Sequence, residues 1–573
     1  MILPRFQLLA ACVVLALPSL PARVVAETPA HSPLYARAEP AGESAAPGAG
    51  NQLALMSGGY DALLLRVHLI RHARESIDVQ TFIWSNDACG RLLIHELLEA
   101  ARRGVRVRII ADHLFSDQDP DVVAFLATAD PRFEVRHYRP ATSRMKPSLL
   151  RTLLAGAVSF RSVNQRMHSK VMVFDGKLLL TGGRNIENTY YDHSTALNYR
   201  DRDVLATGPV VAAAASQFEQ FWGYRYTVPS RKLIDVDRAI RAGSFRRFER
   251  REDFDFEGHF DELHREADDE ALIAERLASR LKPVRRAVFL YDVPGKPRRA
   301  SINAAAVTRE LQQALERARH SVVIQTPYLV LSDPAKRLIR SLHQRSPGVQ
   351  IRISTNSFAS TDNLFAYSAN YRMRSEYVQD LQLRIHEYKP RPANMEEIFP
   401  RHGLMARHAV PPGNETPHRP FLSLHAKSLV VDDAVAFVGS FNLDPRSADL
   451  NTEVGILVED EAFARALQEE IERDMAPANS WVIADRNLPL GLEVVNGLVD
   501  GLLSITPIDL WPIQNTSSFE LRPGAVPVPP GHPAFHECHR DVGSFPGTDG
   551  LLSQKEILTR LFKAVGSPLT PIL

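Results

Sequence analysis

An α/β fold of two homologous halves, packed pseudo-symmetrically around one active site, is what this sequence predicts. Three observations carry the expectation. A pattern appears twice, in RMHSKVMVFDGKLLLTGGRN from Arg166 and in LHAKSLVVDDAVAFVGSFN from Leu424. Each copy has a His, a Lys two places on, an Asp five beyond that, and then a Gly and an Asn after a second apolar run. The sets are His168, Lys170, Asp175, Gly182, Asn185 and His425, Lys427, Asp432, Gly439, Asn442, with all spacings equal. A β-α-β succession recurs as well, and 573 residues of which 45% are hydrophobic hold enough apolar material for two or more domains.

Residues 1–26 read as a signal peptide or an uncleaved N-terminal anchor. Arg5 precedes an apolar run of about fifteen residues, short for a membrane span, and Val24 and Ala26 put small residues where a signal peptidase cuts. Residues 27–50, rich in Ala, Pro, Gly and Ser, read as a linker. The first half, 51–234, opens with a buried strand in ESIDVQTFIW, an amphipathic helix in GRLLIHELLEAARRG and a second strand in VRVRIIAD. The second half, 286–486, repeats that order in HSVVIQTPYL, AKRLIRSLHQRSPG and VQIRISTN, and both first strands carry Gln-Thr, at Gln80-Thr81 and Gln325-Thr326. Shared detail of this kind points to internal duplication. Between the halves, 235–285 is a charged helical segment that reads as a solvated connection. Residues 487–514 are apolar but broken by Pro507 and Pro512, which fits an interfacial or a core segment better than a span. Residues 515–573 are a Pro- and Gly-rich extension ending in one helix.

The charge balance narrows the partners. A formal net charge of +1 gives no whole-chain field for a polyanion, so nucleic acid is not expected. Cys12, Cys89 and Cys538 lie far apart, without the spacing of a zinc or redox motif, and the HECH around Cys538 is an isolated cluster; neither a metal nor another cofactor is expected.

The repeated residues suit attack at phosphorus. On a strand His168 and Lys170 share one face, as do His425 and Lys427. Imidazole is a nucleophile at neutral pH, and an ammonium neutralises charge that develops on phosphoryl oxygens. Asp175 has the opposite parity and precedes a hairpin turn at Gly176, so it and Asp432 complete the catalytic pattern in a supporting role, while Asn185 and Asn442 are placed to donate to a phosphate. Displacement at a phosphodiester needs a nucleophile and an acid, later a base. Two facing copies supply both, so each copy is half of one site.

HSKVMVFD…GGRN and HAKSLVVDD…GSFN match the HxKxxxxD signature of the phospholipase D superfamily, which the chain resembles from about Gln52 to about Arg486. QTFIW, GGRNIENTYY, RDRDV, GSFNLDPRS and NTEVG are similar to the bacterial cardiolipin synthases, especially the C-type branch. The resemblance implies two α/β/α halves, a phosphohistidine intermediate and no metal. It also implies an acid that orients each His, which maps onto Asp203 and Glu453, with Asp201 competing for the first. Gly183 departs from the usual Gly-Ser-x-Asn. The implied function is transfer of a phosphatidyl group, with phosphatidylglycerol and a second phospholipid such as phosphatidylethanolamine giving cardiolipin. A hydrolytic phospholipase D is the alternative, and a nucleic-acid phosphodiesterase stands behind it. The resemblance puts His168 forward as nucleophile and His425 as acid and base. A membrane-surface enzyme on the periplasmic side of a bacterial inner membrane, peripheral or N-terminally anchored, is the expected setting.

Overall fold

The computed structural model describes residues 31–38, 50–116, 119–147, 164–254, 260–296, 305–409, 420–487 and 515–548. The signal or anchor segment, nearly all of the apolar stretch at 487–514 and the final helix lie outside the described residues. Among the described residues no helix is long and apolar enough to cross a membrane.

Two mixed sheets form the frame, and eight strands of each, from Gln52–Met56 to Thr227–Pro229 in the first and from Arg286–Tyr291 to Ser480–Asp485 in the second, follow the same order. The first runs in space through Lys282–Pro283, Gln52–Met56, Asp203–Thr207, Leu178–Gly182, Val171–Phe174, Ser76–Thr81, Arg106–Asp112, Phe133–Tyr138 and Thr227–Pro229. The second runs through Arg286–Tyr291, Val454–Glu459, Val435–Gly439, Ser428–Val431, Ser321–Gln325, Gln350–Asn356, Leu383–Tyr388, Ser480–Asp485, Thr516–Leu521 and His539–Gly543. In each, three adjacent strands are parallel, joined by helices, and the two strands of the motif hairpin are antiparallel. The expected duplication is thus present at the level of strand order.

Strand periodicity explains how the halves adhere. Val171 and Val173 project into a core shared with Val430, Ala436, Val438 and Ile456 of the second half, whereas Met172 and Phe174 enter the first half's own core. Val430 does the same from its side, with Leu429 and Val431 facing the second half's core. Runs such as VMVF and SLVV are therefore apolar on both faces because both faces are covered. The helices Pro209–Trp222 and Glu461–Met475 contribute Val210, Ala214, Phe463 and Leu467 to the shared core.

Three segments differ from the expectation. Within the linker, Pro33–Arg37 is a short helix whose Leu34 is buried, and Ser32 Oγ lies 2.8 Å from His68 Nε2. The charged connection is not merely solvated: Phe254, Phe260, Leu263, Ala267, Ile273, Leu277 and Leu281 are buried in the first half's core, and Lys282–Pro283 pairs with Gln52–Leu53. Apolar residues at helical spacing were present there but masked by the surrounding charge. The C-terminal extension adds two strands to the second sheet through the pairing of Ser480–Asp485 with Thr516–Leu521.

Candidate active site

Each motif histidine lies three residues before an inner strand of its sheet, and its backbone is bonded to the opposite half. The His168 amide donates to the Thr452 carbonyl at 3.0 Å, and the His425 amide donates to the Arg200 carbonyl at 2.9 Å. A small parallel pair, Leu197–Arg200 with Phe421–Leu424, continues this seam. Thr452 and Arg200 each precede an acid, so the seam carries that acid to the foreign histidine. Glu453 Oε2 lies 2.9 Å from His168 Nδ1, and Asp201 Oδ2 lies 2.6 Å from His425 Nδ1. The histidine–acid pairs cross between the halves, and all four side chains are buried.

This corrects the sequence assignment of Asp203. Asp203 accepts from Arg66 Nη2 at 2.9 Å, lies 3.5 Å from Arg184 Nη1 and bonds to no histidine among the described residues. Sheet register gives the reason. Gly182 pairs with Asp203 and Gly439 with Gly455, so the counterpart of Glu453, two residues before Gly455, is Asp201. The similarity of Asp-Val in RDRDV to Glu-Val in NTEVG is offset by two residues from the true correspondence.

The departure at Gly183 follows from the same geometry. A Cβ there would stand 2.0 Å from Asp201 Oδ1, so glycine is what lets the short acid reach His425. At the matching position Ser440 donates its hydroxyl to Glu453 Oε2 at 2.5 Å, bracing the longer acid. Asp201 is fixed instead by the Arg202 amide, at 2.7 Å.

The lysines curl back onto the histidines. Lys170 Nζ donates to the His168 carbonyl at 2.7 Å and lies 5.1 Å from the centre of the Phe82 ring. Lys427 Nζ donates to the His425 carbonyl and sits 3.0 Å from His425 Nε2. Burial, then the Lys170, Lys427 and His425 charges, holds His168 well below the usual imidazole range. Burial and Lys427 push His425 down to about 4. Burial pushes Glu453 up to about 7, although Lys170 opposes it. Burial would also raise Asp201, but the charges of His425 and Lys427 outweigh it and keep that carboxylate ionised. Burial lowers both ammonium groups, Lys427 to about 8 against the pull of Asp201, and the charge of Lys427 lowers Lys170 further. The cleft thus sets imidazoles that disfavour charge beside two crowded amines, an environment an anionic phosphodiester relieves.

Asp175 and Asp432 stand away from this chemistry. Each is the first of the three residues between the paired hairpin strands, with positive φ, 52° and 50°, followed by Gly176 at 63° and Asp433 at 54°, as the central residues of a primed turn require. Asp175 accepts from the amides of Arg74, Glu75 and Ser76 at 2.8 to 2.9 Å, and Asp432 accepts from those of Arg319, His320 and Ser321 at 2.8 Å. They tie the hairpin to the neighbouring strand. Asn185 donates to the Tyr190 hydroxyl at 2.9 Å, and that hydroxyl lies 3.4 Å from His425 Nε2. Asn442 is buried, and its side-chain oxygen has no hydrogen-bond partner among the described residues. Sequence reasoning missed Tyr190, Tyr199 and Phe82, whose rings lie 5.1, 4.8 and 4.9 Å from the nearer motif histidine. The signal was present for Phe82, inside QTFIW, and for Tyr190, inside GGRNIENTYY.

No group of three or more His, Cys, Asp or Glu among the described residues is arranged to hold a metal. His539 of the HECH stretch stacks on Phe535 with ring centres 4.3 Å apart.

The family described as Cardiolipin synthase, PLD-like domain matches residues 67–222 and 311–475, one block in each half. Cardiolipin synthase C of Escherichia coli K12 is 30% identical over 74% of this chain and 85% of its own length. Cardiolipin synthase A of Pseudomonas fluorescens Pf-5 is 25% identical over 75% of this chain and 70% of its own. Among solved structures, the phosphatidylserine synthase of Haemophilus influenzae superimposes over 79% of this chain and 92% of its own with a TM-score of 0.50 at 16% identity, a likeness of fold. Since the two matched blocks enclose the strands that carry the crossed histidine–acid pairs, the chain belongs to the cardiolipin synthase family of the phospholipase D superfamily and is a phosphatidyltransferase.

Proposed function

We propose that this protein makes cardiolipin by moving a phosphatidyl group from a donor phospholipid to the glycerol head group of phosphatidylglycerol, with His168 as nucleophile and His425 as acid and base. The crossed pairs carry this reading: two buried imidazoles, each held at Nδ1 by an acid of the other half, so that both present Nε2 as the working atom. In the first step His168 Nε2 attacks phosphorus, the bond from phosphorus to the head-group oxygen breaks, and His425 Nε2 gives its proton to that oxygen. In the second, a phosphatidylglycerol hydroxyl gives its proton to His425 Nε2, its oxygen attacks phosphorus, and the phosphorus–nitrogen bond returns its electrons to His168. The free site disfavours charge on His425; the phosphodiester anion, settling between Lys170 and Lys427, offsets that field, so protonation of His425 accompanies substrate binding. Exchanging one phosphodiester for another conserves most of the bond free energy, so no nucleotide is needed.

Phosphatidylethanolamine and phosphatidylglycerol are the donors we favour. The signal-like N-terminus and the apolar stretch at 487–514 support export and attachment to the periplasmic membrane surface. The test uses purified protein on mixed liposomes with and without phosphatidylglycerol or phosphatidylethanolamine, with products read by mass spectrometry. Cardiolipin that depends on phosphatidylglycerol is the expected product; phosphatidic acid alone would make the enzyme a hydrolytic phospholipase D.

A further inference from the structure

The two walls of the cleft differ in chemistry although the frame is pseudo-symmetric. Beside His168 the wall is apolar: Phe82 meets the imidazole edge-on, and Phe115, 42% exposed, packs on Phe82 at 4.4 Å. Beside His425 it is phenolic and acidic. The Tyr199 ring lies 4.8 Å from the imidazole, and its hydroxyl donates to Asp362 Oδ2 at 3.0 Å. The Tyr328 hydroxyl donates to the same carboxylate at 2.9 Å. Asp362 itself is solvent-exposed, and its charge raises the proton affinity of both His425 and Lys427.

We propose that Asp362, held in place by Tyr199 and Tyr328, receives the second hydroxyl of a polyol acceptor and thereby selects a glycerol head group over water or a simple alcohol. The inference rests on the phosphatidyl-transfer reading above. In-line displacement puts the leaving and the entering oxygen on the side of phosphorus opposite His168, which is the His425 side. A glycerol whose reacting hydroxyl gives its proton to His425 has its neighbouring hydroxyl free to donate. A carboxylate offers about four acceptor directions, and two phenols leave room for that donation. Water has no second hydroxyl to place there.

The experiment uses the full chain in mixed micelles with a p-nitrophenyl phosphatidyl ester as donor and glycerol, 1-propanol and ethanolamine competing as acceptors. All three partition from one covalent intermediate, so product ratios do not depend on how fast it forms. The wild type is expected to favour glycerol over 1-propanol and ethanolamine. Asp362→Asn should cut the glycerol-to-propanol ratio by about tenfold or more, the range for loss of a hydrogen bond to a charged group, and Tyr328→Phe should cut it less. An unchanged ratio in Asp362→Asn overturns the acceptor role alone. A wild-type preference for ethanolamine overturns it in favour of charge recognition. An Asp362→Asn protein that releases no p-nitrophenol places the carboxylate in the first step and overturns it too. A wild type that releases p-nitrophenol and passes the lipid to none of the alcohols sinks phosphatidyl transfer itself.

Discussion

Replacing Asp201 by asparagine removes one charge and reverses one hydrogen bond. The Asp201 carboxylate sits 2.6 Å from His425 Nδ1, with both groups buried, and its other oxygen accepts from the Arg202 amide. Hydrogen bonds to charged groups contribute about 1.5–3 kcal/mol, which alone is about a 10- to 150-fold effect on a step that depends on the pair. An asparagine that turns its N–H toward Nδ1 forces the ring proton onto Nε2, where the second step needs a lone pair. Together these predict a loss of about 10³ in kcat, with KM little changed, because Asp201 lies behind the imidazole, away from the lipid. Asp203→Asn is the matched control. It leaves Arg66 and Arg184 beside a neutral partner and should cost stability, about 3 kcal/mol for a broken buried pair, while turnover per folded molecule stays within a few-fold of wild type. The assay pairs steady-state cardiolipin formation with urea unfolding. If Asp203→Asn lowered kcat as much as Asp201→Asn in folded protein, the register argument that assigns Asp201 to His425 would be wrong.

Removing either imidazole should lower turnover by several orders of magnitude, but with radiolabelled donor only His425→Ala should retain labelled phosphohistidine; label on His168→Ala reverses the roles. Gly183→Ala puts a methyl group where Asp201 Oδ1 stands, 2.0 Å away, and should lower kcat at least tenfold, whereas Ser440→Ala, which removes the brace on Glu453, should lower it less; equal effects would refute the steric account. With Lys427 brought down to about 8 by burial, activity that needs its charge should fall on an alkaline limb near pH 8. Stability should move the other way. The unfolded lysine binds its proton up to about 10.4 and the folded one only to about 8, so the unfolded state holds more protons between those values and stability rises with pH across that window. A limb well above pH 9, or stability that falls in this window, contradicts the placement of Lys427.

The duplicated frame was legible because it is written in periodicity. Alternation in VMVF and SLVV, the hairpin turns after Phe174 and Val431, and equal His-Lys-Asp-Gly-Asn spacing are local signals that sheet geometry respects. Parity placed Asp175 and Asp432 away from the reacting atoms, and the structure assigns them to capping backbone amides. The acids were harder, since pairing Asp201 with His425 across 224 positions is a fact of register between halves, not of sequence spacing. The buried stripe of Phe260, Leu263 and Ala267 was hidden for a different reason: on a short helix three apolar residues suffice to dock, too few to outweigh the charges around them. Tyr199 and Asp362 were invisible because an exposed carboxylate gains meaning only from the phenols that a separate loop and strand bring to it.

Crossing the acids makes the halves interdependent in a way that duplication alone does not. Each half holds a complete His-Lys motif but anchors its histidine backbone, at Thr452 or Arg200, and orients its imidazole, at Glu453 or Asp201, with groups from the other. The Arg202 guanidinium reinforces this seam, donating to Glu470, Gln325 and Ser428 of the second half at 2.8 to 3.0 Å. A half that drifted by a residue's width would lose both acids at once, so the seam fixes the spacing in-line transfer requires. Within that symmetric frame the two sites were free to differ, and they do: Gly183 with the short, ionised Asp201 at His425, Ser440 with the longer Glu453, lifted to about 7, at His168. An ionised partner suits the imidazole that must take up and release a proton. On the roles proposed above, a partner with weaker charge suits the imidazole that stays neutral to attack phosphorus, and the Phe82 ring lies beside it at 4.9 Å.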